Sequence, residues 1–220
     1  MWFHNLIQAV ENKYNRLLMI LIGIYLSSPF LVDQSIGNLI VFLGFLGAII
    51  IVVYQIQCSR KTFRLQASLV GLALLLKVLS YVSYPPLHFD RLFAIVSNII
   101  LLVFLVFSVY WILRELTLTD QVTEDIVKGG ICVYFLFGFL WAGVYELVYT
   151  FDPHSFHAVS LPLTRGDLTH FSFTTLTTVG YGDISPVSKI ARVLANLEGM
   201  VGVMYPTVFI ARLVSLHSTR

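Results

Sequence analysis

The chain carries, at residues 177–183, the stretch Thr177-Thr178-Val179-Gly180-Tyr181-Gly182-Asp183 (TTVGYGD). Gly180 and Gly182 can adopt a positive φ at little cost because glycine has no Cβ. This freedom lets the successive carbonyl groups of residues 178–181 point the same way, while the side chains of Val179 and Tyr181 turn back and brace the loop. A row of carbonyl oxygens can replace the water around a dehydrated cation. The stretch therefore predicts an ion-coordinating backbone loop, and the alternative is a glycine turn that arose by chance.

The composition is that of an integral membrane protein. Of the 220 residues, 57% are hydrophobic and 12% are charged, whereas a soluble domain carries about 25% charged residues. The net charge is +2, and no basic cluster with interleaved aromatic residues indicates a nucleic-acid partner. We expect membrane lipids to surround the protein. Cys58 and Cys132 are too few for a disulfide framework, so we expect free thiols.

Six segments are apolar and long enough to cross a bilayer, which needs about 20 residues per helix. They lie near residues 16–32, 38–56, 66–84, 92–113, 129–150 and 190–214. A seventh segment, 167–177, is too short to cross and directly precedes the TTVGYGD stretch. This position predicts a re-entrant helix whose C-terminal end directs a partial negative charge toward the loop. The predicted fold is an all-α membrane protein with six transmembrane helices, one re-entrant helix and the loop.

The positive residues predict the orientation. With the N-terminus inside, the cytoplasmic segments hold Lys13, Arg16, Arg60, Lys61, Arg64, Arg114, Lys128, Arg212 and Arg220, against Arg91, Arg165, Lys189 and Arg192 outside. The excess of positive charge inside favours a multi-pass protein of the cell membrane with both termini in the cytoplasm. Residues 1–15 are amphipathic and predict a helix in the inner membrane surface, or else a cytoplasmic extension of the first span.

Residues 178–182 (TVGYG) resemble the selectivity filter of potassium channels, and Asp167–Asp183 resembles the pore helices of the bacterial ones. The resemblance covers best residues 129–220 and implies a pore domain of outer helix, turret, pore helix, filter and inner helix. The chain holds one copy of the filter and four must surround one axis, so the resemblance implies a homotetramer. It also implies passive conduction of K⁺, with K⁺ ions in the filter as the only expected cofactor.

Two departures from the family pattern concern the support of the filter by Thr174, Thr177 and Asp183. His170 and Phe171 stand where many relatives place large aromatic residues in a cuff behind the filter. Thr174 stands where some relatives carry a carboxylate that pairs with the filter aspartate, here Asp183. A hydroxyl is a weaker partner than a carboxylate. The departure therefore bears on filter stability and slow inactivation, and not on selectivity.

The last span contains a predicted bend. Gly202 matches by spacing the inner-helix glycine that relatives use as a gating hinge, and close packing is the alternative reason for it. Pro206 removes a backbone hydrogen bond and favours a kink. The stripe that continues from these residues is apolar and suits a hydrophobic gate that closes by dewetting. Its members are Val203, Pro206, Ile210 and Val214.

Two carboxylates lie in the pore-domain spans. Glu146 resembles an outer-helix glutamate that anchors the turret in relatives, and Glu198 matches a glutamate in the inner helix of bacterial relatives. Buried carboxylates in a membrane need partners, and Arg192 is a candidate for either. We interpret both as structural.

The first four spans, within residues 16–113, occupy the position of a voltage sensor but lack its charges. The fourth span, Leu92 to Leu113, contains no charged residue, and steep voltage gating needs several charges per subunit. Ordinary voltage gating is therefore excluded. These four spans form a four-helix attachment to the pore domain, and Lys77 is the one ionisable residue deep within it. Its amine either extends to the membrane surface or hydrogen-bonds to polar groups, or it marks a ligand or lipid site. Residues 114–128 predict a cytoplasmic amphipathic linker that couples the attachment to the pore.

No nucleotide-binding loop, metal cluster or nucleophile–base pair appears in the sequence, so we expect no enzyme. Because few residues follow the last span, we expect no regulatory domain within this sequence. Two alternatives to a potassium channel remain open. One is a non-conducting regulatory or structural subunit that keeps a pore fold, and the other is a weakly selective cation channel.

Overall fold

The computed structural model describes residues 13–31, 47, 64, 67–73, 75–76, 90–119, 121–159 and 161–218. The helices with defined ends are α1 (Lys13–Leu31), α2 (Asp90–Leu118), α3 (Glu124–Phe151), α4 (Arg165–Leu176) and α5 (Lys189–Ser218). A 3-10 turn (Pro153–Ser155) and two strands, β1 (Phe156–Ala158) and β2 (Ile184–Pro186), lie between the last three helices.

Three of the described helices, α2, α3 and α5, are long and apolar enough to cross a membrane. They contain the predicted fourth, fifth and sixth spans. Helix α1 covers most of the predicted first span, and its apolar part, Tyr14–Leu26, is shorter. This part of the chain is therefore built from apolar helices, as expected of a membrane protein.

The remaining predicted segments fall largely outside the described residues. The second span, 38–56, is described at residue 47 alone, and the third, 66–84, at 67–73 and 75–76, which are helical. Lys77 and residues 1–12 of the predicted interfacial helix also lie outside them, while residues 13–15 belong to α1.

Helix α3 starts at a well-defined cap. The Thr123 side chain accepts a hydrogen bond from the Ile126 backbone N–H (3.3 Å), and Glu124 and Asp125 place negative charge in the first turn. Both features stabilise a helix N-terminus. The segment 114–128, predicted as a linker, is consequently divided between the end of α2 and the start of α3, with a short non-helical connection between them.

Helix α3 lies at the centre of the described helices. The buried face of α1, formed by residues at helical spacing from Tyr14 to Ile24, packs with residues of α2 and α3 into one apolar core. A second core lies where α3, α4 and the two strands meet, and it includes Tyr145, Phe156 and Phe171. These two cores hold α4 and its following loop against α3.

A small antiparallel sheet joins the segment before α4 to the segment after the TTVGYGD loop. Strand β1 pairs with β2 so that Phe156 lies opposite Pro186 and Ala158 opposite Ile184. The described part is therefore mostly helical rather than entirely helical. His154 lies in the 3-10 turn and His157 on β1, and both are exposed.

Candidate functional site

The TTVGYGD loop begins where α4 ends. A capping box starts the helix: the Thr164 hydroxyl accepts from the Asp167 N–H (3.2 Å), and the Asp167 carboxylate accepts from the Thr164 N–H (2.7 Å). The helix therefore begins at Arg165, two residues before the predicted start. At the other end, the Thr174 carbonyl oxygen accepts from the N–H groups of Val179 (2.9 Å) and Gly180 (3.1 Å). These bonds fold the loop back on the last turn of α4.

The backbone of the loop alternates in the sign of φ. Thr178, Gly180 and Gly182 have φ values of 60°, 54° and 78°, and Val179 and Tyr181 between them stay in the ordinary negative range. A positive φ at a non-glycine residue such as Thr178 costs about 1–3 kcal/mol and occurs preferentially at functional sites. Alternating left-handed and right-handed residues turn successive carbonyl groups to the same side. Such a row of oxygens can replace the hydration shell of a cation.

The loop is open in the single chain. Residues 177–183 are all exposed, and a Cβ at Gly180 or Gly182 would meet no other atom within 4 Å. The described residues contain no group of three or more His, Cys, Asp or Glu side chains that could hold a metal ion. The backbone of this loop is therefore the candidate ion site, and its oxygens carry no formal charge.

His170 supports the loop from the side of α4. Its Nε2 lies 3.0 Å from Oδ2 of Asp183. Its ring stacks on that of Tyr181, with centroids 5.8 Å apart and planes 6° from parallel. The sequence placed His170 only in an aromatic cuff, and the structure adds a polar contact to the last residue of the loop.

Thr174 and Thr177 do not contact Asp183 through their hydroxyl groups. The Thr174 hydroxyl donates to the Phe171 carbonyl oxygen (3.0 Å) and does not reach Asp183, so the support from Thr174 comes through its backbone carbonyl. The Thr177 hydroxyl donates to the Phe173 carbonyl oxygen (2.6 Å). The sequence comparison placed the partner of Asp183 at position 174. The observed partner is His170, one helical turn earlier.

A buried polar cluster, formed by Tyr145, Ser172 and Glu198, lies behind α4. The Tyr145 hydroxyl donates to Oε2 of Glu198 (2.5 Å), and the Ser172 hydroxyl lies 2.6 Å from Oε1 of Glu198 and 2.8 Å from the Gly138 carbonyl oxygen. The three side chains are fully buried. Because they belong to α3, α4 and α5, the polar cluster joins these three helices behind the loop.

Arg192 is not the partner of either carboxylate. Glu198 is satisfied by two hydroxyl groups, and Glu146 pairs with Arg165, whose Nε lies 3.5 Å from Oε2 of Glu146. The Arg192 Nε instead donates to the Pro186 carbonyl oxygen (3.2 Å). The sequence offered Arg192 as a candidate for either carboxylate, but the helical packing brings Arg165, at the start of α4, to Glu146. The pair is only partly buried, so its contribution to stability is small.

Gly202 lies where α5 touches the end of α4. A Cβ at this position would come within 1.9 Å of the Leu176 carbonyl oxygen. The Tyr134 hydroxyl donates to the same Leu176 oxygen (3.0 Å) and lies 3.5 Å from the Gly202 carbonyl oxygen. Pro206 has no N–H, so the Gly202 carbonyl lacks its usual helical donor. Close packing, the alternative reason for this glycine, is therefore sufficient to explain it, while α5 continues as a helix through Pro206.

The predicted gate residues lie on one face of α5. Val203, Ile210 and Val214 are exposed, and Pro206 is partly buried. These four side chains are apolar, and the exposed Thr207 beside them donates its hydroxyl to the Val203 carbonyl oxygen (2.7 Å).

The sequence did not identify the supporting roles of His170, Tyr145, Ser172 and Tyr134. Only His170 left a signal, because a histidine at a cuff position carries a ring nitrogen that can reach a nearby carboxylate. The hydroxyl groups of the other three find partners between 26 and 53 residues away along the chain. No local spacing could have indicated those contacts.

Three comparisons with known proteins bear on this site. Residues 131–218, from α3 to the end of α5, match the Ion_trans_2 family model, described as an ion channel. No curated protein and no solved structure matches the chain. The matched segment contains the loop, the polar cluster and the Gly202 contact. Residues 131–218 are therefore similar to an ion channel domain, which supports passive ion conduction, and the apolar helices indicate a membrane protein.

Proposed function

We propose that the chain is the subunit of a homotetrameric potassium-selective channel that conducts K⁺ passively across the cell membrane. The observation that carries this proposal is the alternating sign of φ over residues 178–182, within a domain that matches an ion channel family. We expect K⁺ ions in the loop, no other cofactor and no enzymatic activity.

Potassium is the ion that this loop suits best. The side chains of residues 177–182 carry no charge, so selection would rest on the backbone oxygens of residues 178–181 and on the Thr178 hydroxyl. Neutral carbonyl oxygens compensate the loss of water from a weakly hydrated ion, and adjacent sites let ions displace one another. The C-terminal end of α4 adds a partial negative charge next to the loop.

One copy of the loop cannot surround an ion, and the exposure of α5 is consistent with further copies. In its most apolar window, 6% of α5 is buried, against 39% for α2 and for α3. Large apolar side chains remain exposed on it, among them Met200, Val203 and Val208. The exposed side chains of Val179 and Tyr181 would also be covered in a tetramer, as bracing of the loop requires.

The gate that we propose is the apolar stripe of α5. Val203, Ile210 and Val214, with Pro206, would line the inner cavity and close it by dewetting, and a bend between Gly202 and Pro206 would open it. Helix α2 carries no charge between Leu92 and Leu113. We therefore expect the open probability to be nearly independent of voltage.

The orientation follows from the positive residues. Both termini would be cytoplasmic and the TTVGYGD loop would face the outside, because the segments assigned to the cytoplasm carry the excess of Lys and Arg. Residues 16–113 would form a four-helix attachment around a pore domain of residues 129–220.

The test is the reversal potential of the purified chain in a planar bilayer, with potassium on one side and sodium on the other. We expect reversal near the potassium equilibrium potential. The Gly180→Ala variant places a Cβ on a residue with a φ of 54°, and we expect it to lose selectivity or current. Gly199→Ala is the matched control, because a Cβ there would likewise meet nothing within 4 Å but Gly199 lies in α5 without a positive φ.

The two other outcomes identify the alternatives. Reversal near zero would indicate a weakly selective cation channel. A tetramer of correct size that passes no current at any voltage or lipid composition would indicate a non-conducting subunit with a pore fold.

A further inference from the structure

Arg212 joins the end of α5 to the end of α2. Its guanidinium donates to the carbonyl oxygens of Leu116, of Thr117 (2.5 Å) and of Thr119 (3.3 Å). The last carbonyl groups of a helix have no partner within it, and they carry the negative end of its dipole. A planar guanidinium with several N–H donors suits such a site better than an ammonium group does. We name this contact the Arg212 clasp.

The Arg212 clasp lies on the face of α5 that is opposite to the predicted gate. At 3.6 residues per turn, Arg212 is rotated by about 160° from both Ile210 and Val214. On its own stripe, Tyr205 donates to the Gly130 carbonyl oxygen (2.9 Å), and Phe209 lies against Gly130. The clasp therefore pulls the end of α5 toward α2 and α3, and away from the face that carries the gate residues.

The link between α2 and α5 is concentrated at this residue. An apolar cavity of about 550 Å³ lies between α2, α3 and α5, and Arg212 is on its lining together with Leu116 and Met204. The two helices are thus separated by open space next to the clasp. A displacement of α2 would reach α5 directly through the guanidinium, and otherwise only through α3, which packs against both helices.

The turn of α2 that Arg212 holds is also tied to α1. The Tyr14 hydroxyl of α1 donates to Oε2 of Glu115 (2.8 Å), one residue before the first carbonyl of the clasp. The Thr119 hydroxyl donates to the Glu115 carbonyl oxygen (2.9 Å) and fixes the same turn. Motion of α1 and α2 as a unit would therefore be transmitted to this point.

We infer that the Arg212 clasp is the element by which the N-terminal helices control the inner gate, holding the end of α5 outward and favouring the open pore. This inference rests on the proposed function for its gate, and on the contacts of Arg212 for its mechanism. Whatever stimulus moves α2 would act by tightening or releasing the clasp.

The first experiment compares single-channel records of the full chain and three variants. Arg212→Gln removes one clasp from each of the four proposed subunits and should lower the open-to-closed ratio at least tenfold, the loss that corresponds to one hydrogen bond to a charged group, with unchanged unitary conductance and reversal potential. Arg212→Lys should give an intermediate value. Arg114→Gln is the matched control, because Arg114 is exposed at the same end of α2 and lies over the Trp111 ring. Because only folded channels give unitary currents, misfolding cannot imitate the result. An Arg212→Gln open probability equal to the control, or higher, would overturn the inference.

A second experiment does not require current. Spin labels at Leu118→Cys and Ser218→Cys, both exposed positions, report the distance between the ends of α2 and α5 within one subunit, with Cys58 replaced by serine and Cys132 buried. Labelled chains are diluted into unlabelled ones. Arg212→Gln should lengthen and broaden this distance distribution. An unchanged distribution would overturn the clasp, whereas a changed distribution in a chain that passes no current would retain the clasp and reject the proposed function.

Discussion

The TTVGYGD loop, residues 177–183, and the contacts behind α4 differ in exposure and in the origin of their structure. The loop is exposed, its conformation is local, and three of its residues adopt a positive φ. The polar cluster of Tyr145, Ser172 and Glu198 is fully buried and is assembled from three helices. The loop carries the proposed ion site, and the buried contacts determine the position of the loop.

This difference separates two ways of damaging the protein. A change in the loop should alter ion conduction and leave the single chain folded, because few contacts are lost. A change behind α4 should alter stability and assembly, because buried polar groups and close backbone contacts tolerate little. Four substitutions test this division, from the largest expected effect to the smallest.

Gly202→Ala should have the largest effect. Its Cβ would stand 1.9 Å from the Leu176 carbonyl oxygen, and a backbone atom at the end of α4 cannot move without moving the loop. We expect a loss of about 3 kcal/mol or more in the free energy of unfolding, seen as a lower melting temperature and little tetramer in detergent. Gly199→Ala should be neutral or stabilising, since alanine favours a helix by about 1 kcal/mol. A Gly202→Ala protein as stable as the control would mean that α5 does not press on α4.

Glu198→Leu should have the next largest effect. It leaves the buried Tyr145 hydroxyl without its acceptor, which costs about 1–3 kcal/mol. Glu198→Gln keeps an acceptor for Tyr145 and supplies a donor for Ser172, so we expect it to lose less than about 1 kcal/mol. Thermal unfolding in detergent measures both variants. Equal losses for leucine and glutamine would show that the side-chain volume, and not the hydrogen bonds, holds the three helices together.

Tyr134→Phe should have a smaller effect, because it removes one hydroxyl from the junction of α4 and α5. The Leu176 and Gly202 carbonyl oxygens lose this donor, and we expect a loss of about 1 kcal/mol. Tyr110→Phe is the control, since Tyr110 is 56% exposed on α2. The melting temperatures of the two variants should differ by a few degrees. A fall as large as that of Glu198→Leu would place the main support of the loop at this junction.

The sequence predicted the elements that local chemistry determines. The glycines of the TTVGYGD stretch indicated positive φ, the apolar runs indicated α2, α3 and α5, and a short helix before the loop was expected within two residues of its observed start. Thr164 and Asp167 explain that difference, because their capping box is a local signal that was not used. The predicted selectivity and the tetramer stay predictions.

The partners of side chains could not be predicted in the same way. Glu198 was correctly expected to need a partner, but its two hydroxyl partners come from α3 and α4, and Arg192 was closer only in sequence. The Gly202 position was predicted from a spacing, whereas the reason for a glycine there, the Leu176 carbonyl, depends on how α4 crosses α5. The strands β1 and β2 were missed because three-residue strands show no usable alternation.

His170→Phe should have the smallest effect on stability, and it tests the loop side of the comparison. Phenylalanine keeps an aromatic ring beside Tyr181 but cannot reach Asp183. The side chains of His170 and Asp183 are 41% and 50% exposed, so their pair contributes about 0–1 kcal/mol and the melting temperature should hardly change. The current should instead decay faster during sustained opening, because the last residue of the loop has lost its contact with α4.

A double-mutant cycle with Asp183→Asn separates this contact from other effects of each residue. If both single variants and the double variant decay equally fast, the pair is the support. If their effects add, or if the melting temperature falls as far as in Glu198→Leu, the loop and its buried supports are not separable in the way that their exposure indicates.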